Sequence, residues 1–403
     1  MGSRILILSA SVGSGHIRAA QAVEQALREL RPDVAVRHVD VLELSNRVFR
    51  RLYGQGYFDV VARVPHLIGH LYDYLDRPLR AWQWPFDAMR FAIQRANLGG
   101  LIELLTETRW DLAINTHFLP AEIIGALRTS LHVTFPQITV TTDFDTHRLW
   151  HNSPCEHYFA ATEEGKLRLA ACGVPRELIS AVGIPIHPAF AQHKDMLECR
   201  RRLGLSPDRP VVLQMSGGLG IGPIQQLHES LLQTSVPIQL VVVTGRNAAA
   251  RQQLSVTPCP ARHQRAILGF TSEMDELLAA ADVVVTKPGG LTSSEALARG
   301  TPMILVDPIP GQETHNADHL LENGAAVKVN HAGVLAHKLA GLLSDPGRLR
   351  AMRASCLRIA KPRAAFDVAS HAIKMLKPPR VRAEPIRPLR ISRRLPALAA
   401  SST

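Results

Sequence analysis

The sequence predicts an α/β protein of two doubly wound, Rossmann-like domains that face one another across a cleft. Three observations predict it. Residues 4–16 and residues 211–224 each pass from a short apolar strand through a glycine-rich turn toward a helical pattern. Residues 282–316, DVVVTKPGGLTSSEALARGTPMILVDPIPGQETHN, run strand, Gly-rich turn, helix, strand and polar loop, the order such a domain uses to hold a nucleotide phosphate. The chain, at 403 residues and 46% hydrophobic, is long enough for two full cores.

Taken in order, residues 4–9 (RILILS) read as the first strand, SVGSGH as its turn and 17–30 as an amphipathic helix. Residues 5–12 have the apolar character of a secretory leader, but the turn and amphipathic helix behind them argue for a strand. Strands follow at 34–39, 112–115, 138–141 and 158–161, within an N-terminal domain of residues 1–188. Between them, residues 48–98 hold ten aromatic side chains, from Phe49 to Phe91, together with arginines such as Arg51, Arg63, Arg77 and Arg80. That composition suits a membrane-facing entrance, or equally a helical insertion whose aromatics are core. A charged helical connection, 194–203, leads to Pro207 and Pro210 and then a second domain at 208–360. Its strands read as 211–215, 240–243, 266–268, 283–285 and 303–306. A helix at 361–376 closes the ordered fold.

The net charge of +11 is uneven. From Lys377 to Pro396 seven Lys or Arg face the single Glu384, with five prolines among them. The tail, 377–403, therefore reads as disordered and drawn to polyanions, either nucleic acid or an anionic membrane surface. No apolar run reaches the roughly 18–20 residues that cross a bilayer. The five cysteines show no pairing pattern, which suits reduced thiols in the cytoplasm.

Candidate site residues lie at the turns. The first turn is neither a Walker A loop nor G-x-G-x-x-G, and places His16 where open α/β sheets bind ligands; the alternative is a histidine that packs on its own turn. In the second, Ser216 to Pro223, four glycines in six positions let the backbone wrap a ligand closely. In the third, Thr292 and Glu295 match the S/T-x-x-E capping box, so a helix is expected to start there with its amides open to a phosphate. Glu295 can also hold a ribose. Gln312, Glu313 and Asn316 can read sugar hydroxyls or form a polar surface loop. Two further patterns invite a metal: Asp143-Phe-Asp145 is a D-x-D, and His315 and His319 share a helix face at i,i+4. The first is too short to specify an ion, and the second has no accompanying HExxH glutamate.

Together, SASVGSGHIRAA, MSGGLGIGP and VTKPGGLTSSEALARGTPMILVDPIPGQETHNADHLLENGAA resemble the GT-B lipid glycosyltransferases: the monogalactosyldiacylglycerol synthases and the processive diacylglycerol glucosyltransferases. These are related to the N-acetylglucosaminyltransferase that makes the lipid-linked peptidoglycan disaccharide. The resemblance covers most of 1–375 and excludes the tail. It implies a GT-B fold, a UDP-sugar donor, diacylglycerol or a related lipid as acceptor, and inversion at the anomeric carbon. It puts Gly217, Gly218 and Gly220 at the diphosphate, Phe270 beside the uracil and Glu295 on the ribose. Gly290, Leu291 and Thr292 would give backbone donors to phosphate, while Gln312 and Glu313 would contact the sugar. Gly13, Gly15 and Trp150 fall on the acceptor side with His16, the expected general base; Asp143 is the alternative base or the group that orients His16. No metal or other cofactor is required, and no nucleic acid partner is expected. The enzyme would work in the cytoplasm, peripherally on the inner face of the cell membrane. The competing readings are a GT-B enzyme with a different acceptor, lipid-linked or soluble, and a UDP-sugar-binding membrane sensor without turnover.

Overall fold

The computed structural model describes residues 2–55, 76, 84–215 and 222–376. The expected phosphate glycines Gly217, Gly218 and Gly220, most of segment 48–98 and the basic tail lie outside them.

Two six-stranded parallel sheets form the frame. The first has the order β2-β1-β3-β4-β5-β6, from β1 (Arg4–Ser9), β2 (Ala35–Asp40), β3 (Leu112–Asn115), β4 (Gln137–Val140), β5 (His157–Ala160) and β6 (Ile179–Ala181). The second runs β12-β11-β10-β7-β8-β9, from β7 (Val211–Met215), β8 (Gln239–Val243), β9 (Gln264–Leu268), β10 (Val283–Thr286), β11 (Met303–Val306) and β12 (Ala326–Val329). Central strands such as β3, β7 and β10 are buried at every residue, because helices cover both faces of a parallel sheet. That is why they read as unbroken apolar runs. The sequence reading lacks β6 and β12, which are short edge strands with half-exposed residues and no such run.

Each sheet reverses its strand order once, and there the following loops diverge and leave a crevice at the strand C-termini. In the first sheet the reversal lies between β1 and β3, which pair from Ile5 with Leu112 to Leu8 with Asn115. In the second it lies between β7 and β10. The Gly13–His16 turn follows β1, and the Pro288–Gly290 turn follows β10. The first and third of the three expected ligand turns therefore stand at switch points.

A single buried cluster runs through both halves, joining Ala19, Phe144, Ile184 and Ile186 to Leu291, Ala296, Ala317 and Leu320. The helix Ala364–Met375 returns from the second sheet to the first. There Ala365, Val368, Ala369 and Ala372 are buried with Ile5, Ile7, Val23 and Leu27. The chain thus crosses between the sheets twice. No described helix is long and apolar enough to cross a membrane.

Candidate active site

The N-terminal wall is built on the β1 turn. Gly13 has φ +90°, a conformation that favours glycine, and it delivers the chain into the helix Gly15–Leu30. His16, second in that helix, lies with Nδ1 3.0 Å from the Thr116 carbonyl and 2.9 Å from the Thr142 hydroxyl. A carbonyl only accepts, so Nδ1 carries the proton and Nε2 keeps its lone pair. Thr116 closes the unit by donating its hydroxyl to the His16 carbonyl at 2.9 Å. Burial lowers the His16 pKa to about 4 against the opposing pull of the Thr116 bond, which leaves a neutral imidazole at pH 7. The buried Trp150 ring lies 6.2 Å from the His16 ring.

Asp143 does not orient His16. Its carboxylate accepts instead from Asn316 Nδ2 at 3.2 Å, and Asn316 Oδ1 accepts from the Phe144 amide at 2.8 Å. The side chain that reaches His16 is that of the preceding residue, Thr142. Burial raises the Asp143 pKa to about 6, opposed by the Asn316 bond. Asp145 pairs with His315 at 3.0 Å. His319 stacks on Phe144 at 4.8 Å and meets Glu164 at 3.5 Å. Both acidic residues of the D-x-D, and both histidines of the i,i+4 pair, thus make contacts between the two halves.

On the C-terminal wall the expected capping box does not form. The helix Gly290–Arg299 begins two residues before Thr292, with Gly289 as N-cap and no side-chain cap bond. The glycine pair turns the chain directly into the helix, so Thr292 is already in its first turn. Its first internal bond runs from the Ser293 amide to the Gly289 carbonyl at 3.0 Å. The amides of Gly290, Leu291 and Thr292 precede that bond and form the positive end of the helix dipole. Glu295 is 2% exposed and accepts from Arg18 Nη2 across the cleft at 3.1 Å. Burial raises its pKa, and Arg18 opposes the shift.

The helix turn packs tightly on the opposite domain. A Cβ on Gly290 would stand 2.2 Å from the Thr142 carbonyl oxygen and 2.9 Å from Ile184 Cδ1. A Cβ on Gly15 would lie 4.0 Å from Leu291 Cβ. Gln312 and Glu313 open the helix Gln312–Glu322. Glu313 accepts from the Ile309 amide at 2.8 Å, and its other oxygen would lie 3.8 Å from a Cβ on Gly289. Burial raises its pKa to about 7. Phe270, after the edge strand β9, is 64% exposed with the Arg246 guanidinium 5.7 Å from its ring centroid.

The structure therefore gathers His16, Gly13, Gly15, Trp150 and Asp143 on one wall. It sets Gly290, Leu291, Thr292, Glu295 and Glu313 opposite, with Phe270 three strands from β10. Sequence reasoning missed three groups. Arg18 lies 277 positions from its partner. His117 lies against the His16 ring. Lys287 pairs with Asp307 at 2.8 Å beside Gly222. Their available signals were the G-H-x-R spacing, a histidine two residues after a buried strand, and a lysine directly before a Pro-Gly-Gly turn.

Comparison with known proteins matches residues 16–186 to the family model for monogalactosyldiacylglycerol (MGDG) synthase and residues 224–358 to that for glycosyl transferases group 1. The processive diacylglycerol beta-glucosyltransferase of Bacillus subtilis (strain 168) is 30% identical over 355 residues, covering 87% of this chain and 89% of that protein. Its counterpart in Staphylococcus saprophyticus is 27% identical over 375 residues, covering 93% of each. Among solved structures, Acinetobacter baumannii MurG superposes with a TM-score of 0.60 at 18% identity, covering 92% of this chain and 99% of MurG. Anabaena Alr3699/HepE in complex with UDP-glucose gives 0.53 at 15% identity, covering 93% and 100%. The fold is GT-B.

Replacing Gly290 with Ala drives a methyl group into the Thr142 carbonyl. The expected cost is about 1–3 kcal/mol from overpacking. Differential scanning calorimetry should show a lower melting temperature, and donor titration a weaker affinity. Wild-type values of both would contradict the close approach.

Proposed function

This chain belongs to the family of the monogalactosyldiacylglycerol synthases and processive diacylglycerol glucosyltransferases, and on that premise we propose that it moves a sugar from a UDP-sugar to diacylglycerol, with inversion, to give a glycolipid. One observation carries the assignment of roles. Through Thr142, a neutral histidine with a fixed lone pair is joined to the N-terminus of the helix opposite.

On this reading the uracil stacks on Phe270 and the ribose hydroxyls reach Glu295, where they share or displace Arg18. Gly217, Gly218 and Gly220 let the backbone approach the diphosphate, which meets the amides of Gly290, Leu291 and Thr292. Gln312 and Glu313 contact the transferred sugar. The acceptor enters over Gly13, Gly15 and Trp150. His16 Nε2 takes the proton from its hydroxyl as that oxygen bonds to the anomeric carbon and the bond to UDP breaks from the other face. Helix amides and the Arg18 cation stabilise the departing anion. The anion in turn raises the proton affinity of His16 during the step, because opposite charge favours the imidazolium.

The acceptor is a membrane lipid, and the N-terminal half has a surface suited to reach it. Val48, Leu52, Met89 and Ile93 are each half or more exposed, with exposed Arg47, Arg51 and Arg95 among them. Phe49 stacks on Tyr53 at 5.1 Å, and Tyr53 lies 6.4 Å from His117 beside His16. We read this as a peripheral docking face for an anionic, inner-leaflet surface.

Three outcomes test this reading. Incubating the protein with each radiolabelled UDP-sugar and diacylglycerol should give a labelled glycolipid; UDP-sugar binding without product would favour a sensor. His16→Ala should lose about 10²-fold or more in kcat with little change in donor KM. A base must be deprotonated to act, so wild-type kcat/KM for the donor, which reports the free enzyme, should stay flat from about pH 5 to 8 when His16, lowered to about 4, is the base. A fall as pH drops through about 6 would point to Asp143 instead.

Glu295→Ala should raise donor KM about tenfold or more while kcat changes less, as expected when ground-state and transition-state binding are lost together. An unchanged donor KM would remove the ribose role.

Sedimentation should follow anionic lipid content in vesicles, at about 1 kcal/mol per basic residue near the headgroups. Charge-neutral and anionic vesicles binding equally would count against the electrostatic part.

A further inference from the structure

His117 follows β3 at the switch point and caps the helix Phe118–Thr129, accepting the Leu119 amide on Nδ1 at 3.1 Å. An amide nitrogen only donates, so Nδ1 is the lone-pair nitrogen and Nε2 carries the proton. This is the opposite tautomer to His16, whose Nδ1 donates to the Thr116 carbonyl. The two rings meet edge to face, 4.7 Å apart at 82°. Phe118 stacks on His117 at 4.2 Å, while Tyr53 and Trp150 lie 6.4 Å from it. The side chain is 3% exposed, and its Nε2 has no hydrogen-bond partner among the described residues. Nε2 is not among the buried atoms sealed off without a partner, so its N–H is unbonded by the described protein and open to a ligand oxygen.

We propose that His117 is an acceptor-positioning residue: its Nε2–H donates to an oxygen of the lipid next to the hydroxyl that His16 deprotonates. The backbone sets both tautomers, one by a carbonyl and the other by an amide. Side by side they offer one acceptor and one donor. A glycerolipid with a free primary hydroxyl carries an acyl ester on the adjacent carbon, whose oxygens can accept, which matches that pair. A simple long-chain alcohol matches only His16. His117 transfers no proton. The proton goes from the acceptor hydroxyl to His16 Nε2, the new C–O bond forms, and the bond to UDP breaks. His117 holds the hydroxyl in line while this happens.

The inference rests on the reading of His16 as base, and the experiment separates the two. In the full-length protein, His117→Asn keeps a capping oxygen for the helix but is too short to reach the Nε2 position. His117→Gln places an amide N–H near that position. With diacylglycerol, the Asn variant should keep its melting temperature and donor KM, while kcat/KM for the acceptor falls roughly tenfold or more. The preference for diacylglycerol over a long-chain primary alcohol should shrink with it, and Gln should restore part of both. An Asn variant with wild-type acceptor kcat/KM and preference would overturn the proposal. So would a loss of activity that only tracks a fall in melting temperature. If His16→Ala retains turnover while His117→Asn loses acceptor preference, the base assignment fails and this one stands; the reverse result has the reverse meaning.

Discussion

The site depends on the missing side chain at residue 290. Only a glycine lets the helix Gly290–Arg299 bring its N-terminus against the Thr142 backbone, where any Cβ would sit 2.2 Å from the carbonyl oxygen. Thr142 then serves two contacts from one residue. Its carbonyl faces the helix of one domain, and its hydroxyl reaches His16 of the other. The next residue, Asp143, is tied to Asn316, and Asp145 to His315. A small displacement at 290 is therefore felt at His16, the helix amides and both acidic residues of the D-x-D. Close-packed interfaces transmit such shifts because they have little free volume to absorb them.

That contact is possible because both sheets present their switch points to the same cleft. The two crossings of the chain limit how the sheets can turn against each other. One is the connection near 182–210, and the other is the return of the helix Ala364–Met375 to the first core. Apolar residues fill the junction from Ala19 to Leu320, and polar pairs line the cleft edge. The division suits a molecule whose walls must stay in register while a polar ligand enters. Apolar contact fixes the hinge without direction, and directional hydrogen bonds fix the wall positions.

Much of this frame was legible in the sequence, and the reasons differ by element. Strands β3, β7 and β10 announce themselves because burial on both faces leaves only apolar residues. Edge strands β6 and β12 are brief and half wet, so no periodicity marks them. The capping box around Thr292 does not form, for a physical reason. S/T-x-x-E states that two side chains could cap a helix, not where the helix starts, and Gly289 with Gly290 start it earlier. The partner of Glu295 was hidden by distance along the chain, since nothing local marks a carboxylate that meets an arginine from the other domain. His117 was hidden differently: a histidine cap lacks the Ser, Thr, Asp or Asn signal that marks most helix starts.

The electrostatics of the cleft follow from the same packing. Burial lowers the pKa of His16 and His117 and raises that of Asp143, Glu295 and Glu313. Each shift moves its group toward the uncharged form. Where a carboxylate does ionise, a partner from the facing domain is at hand, as Arg18 is for Glu295. A diphosphate entering such a place becomes the dominant local charge. Helix amides meet it without themselves carrying a net charge, and weak screening makes its influence on a neighbouring imidazole large. On the proposed reading, with His16 as the base, an imidazole too weak a base alone gains proton affinity as the leaving group develops its charge. Proton removal and departure of UDP would then be coupled through the field of the substrate itself.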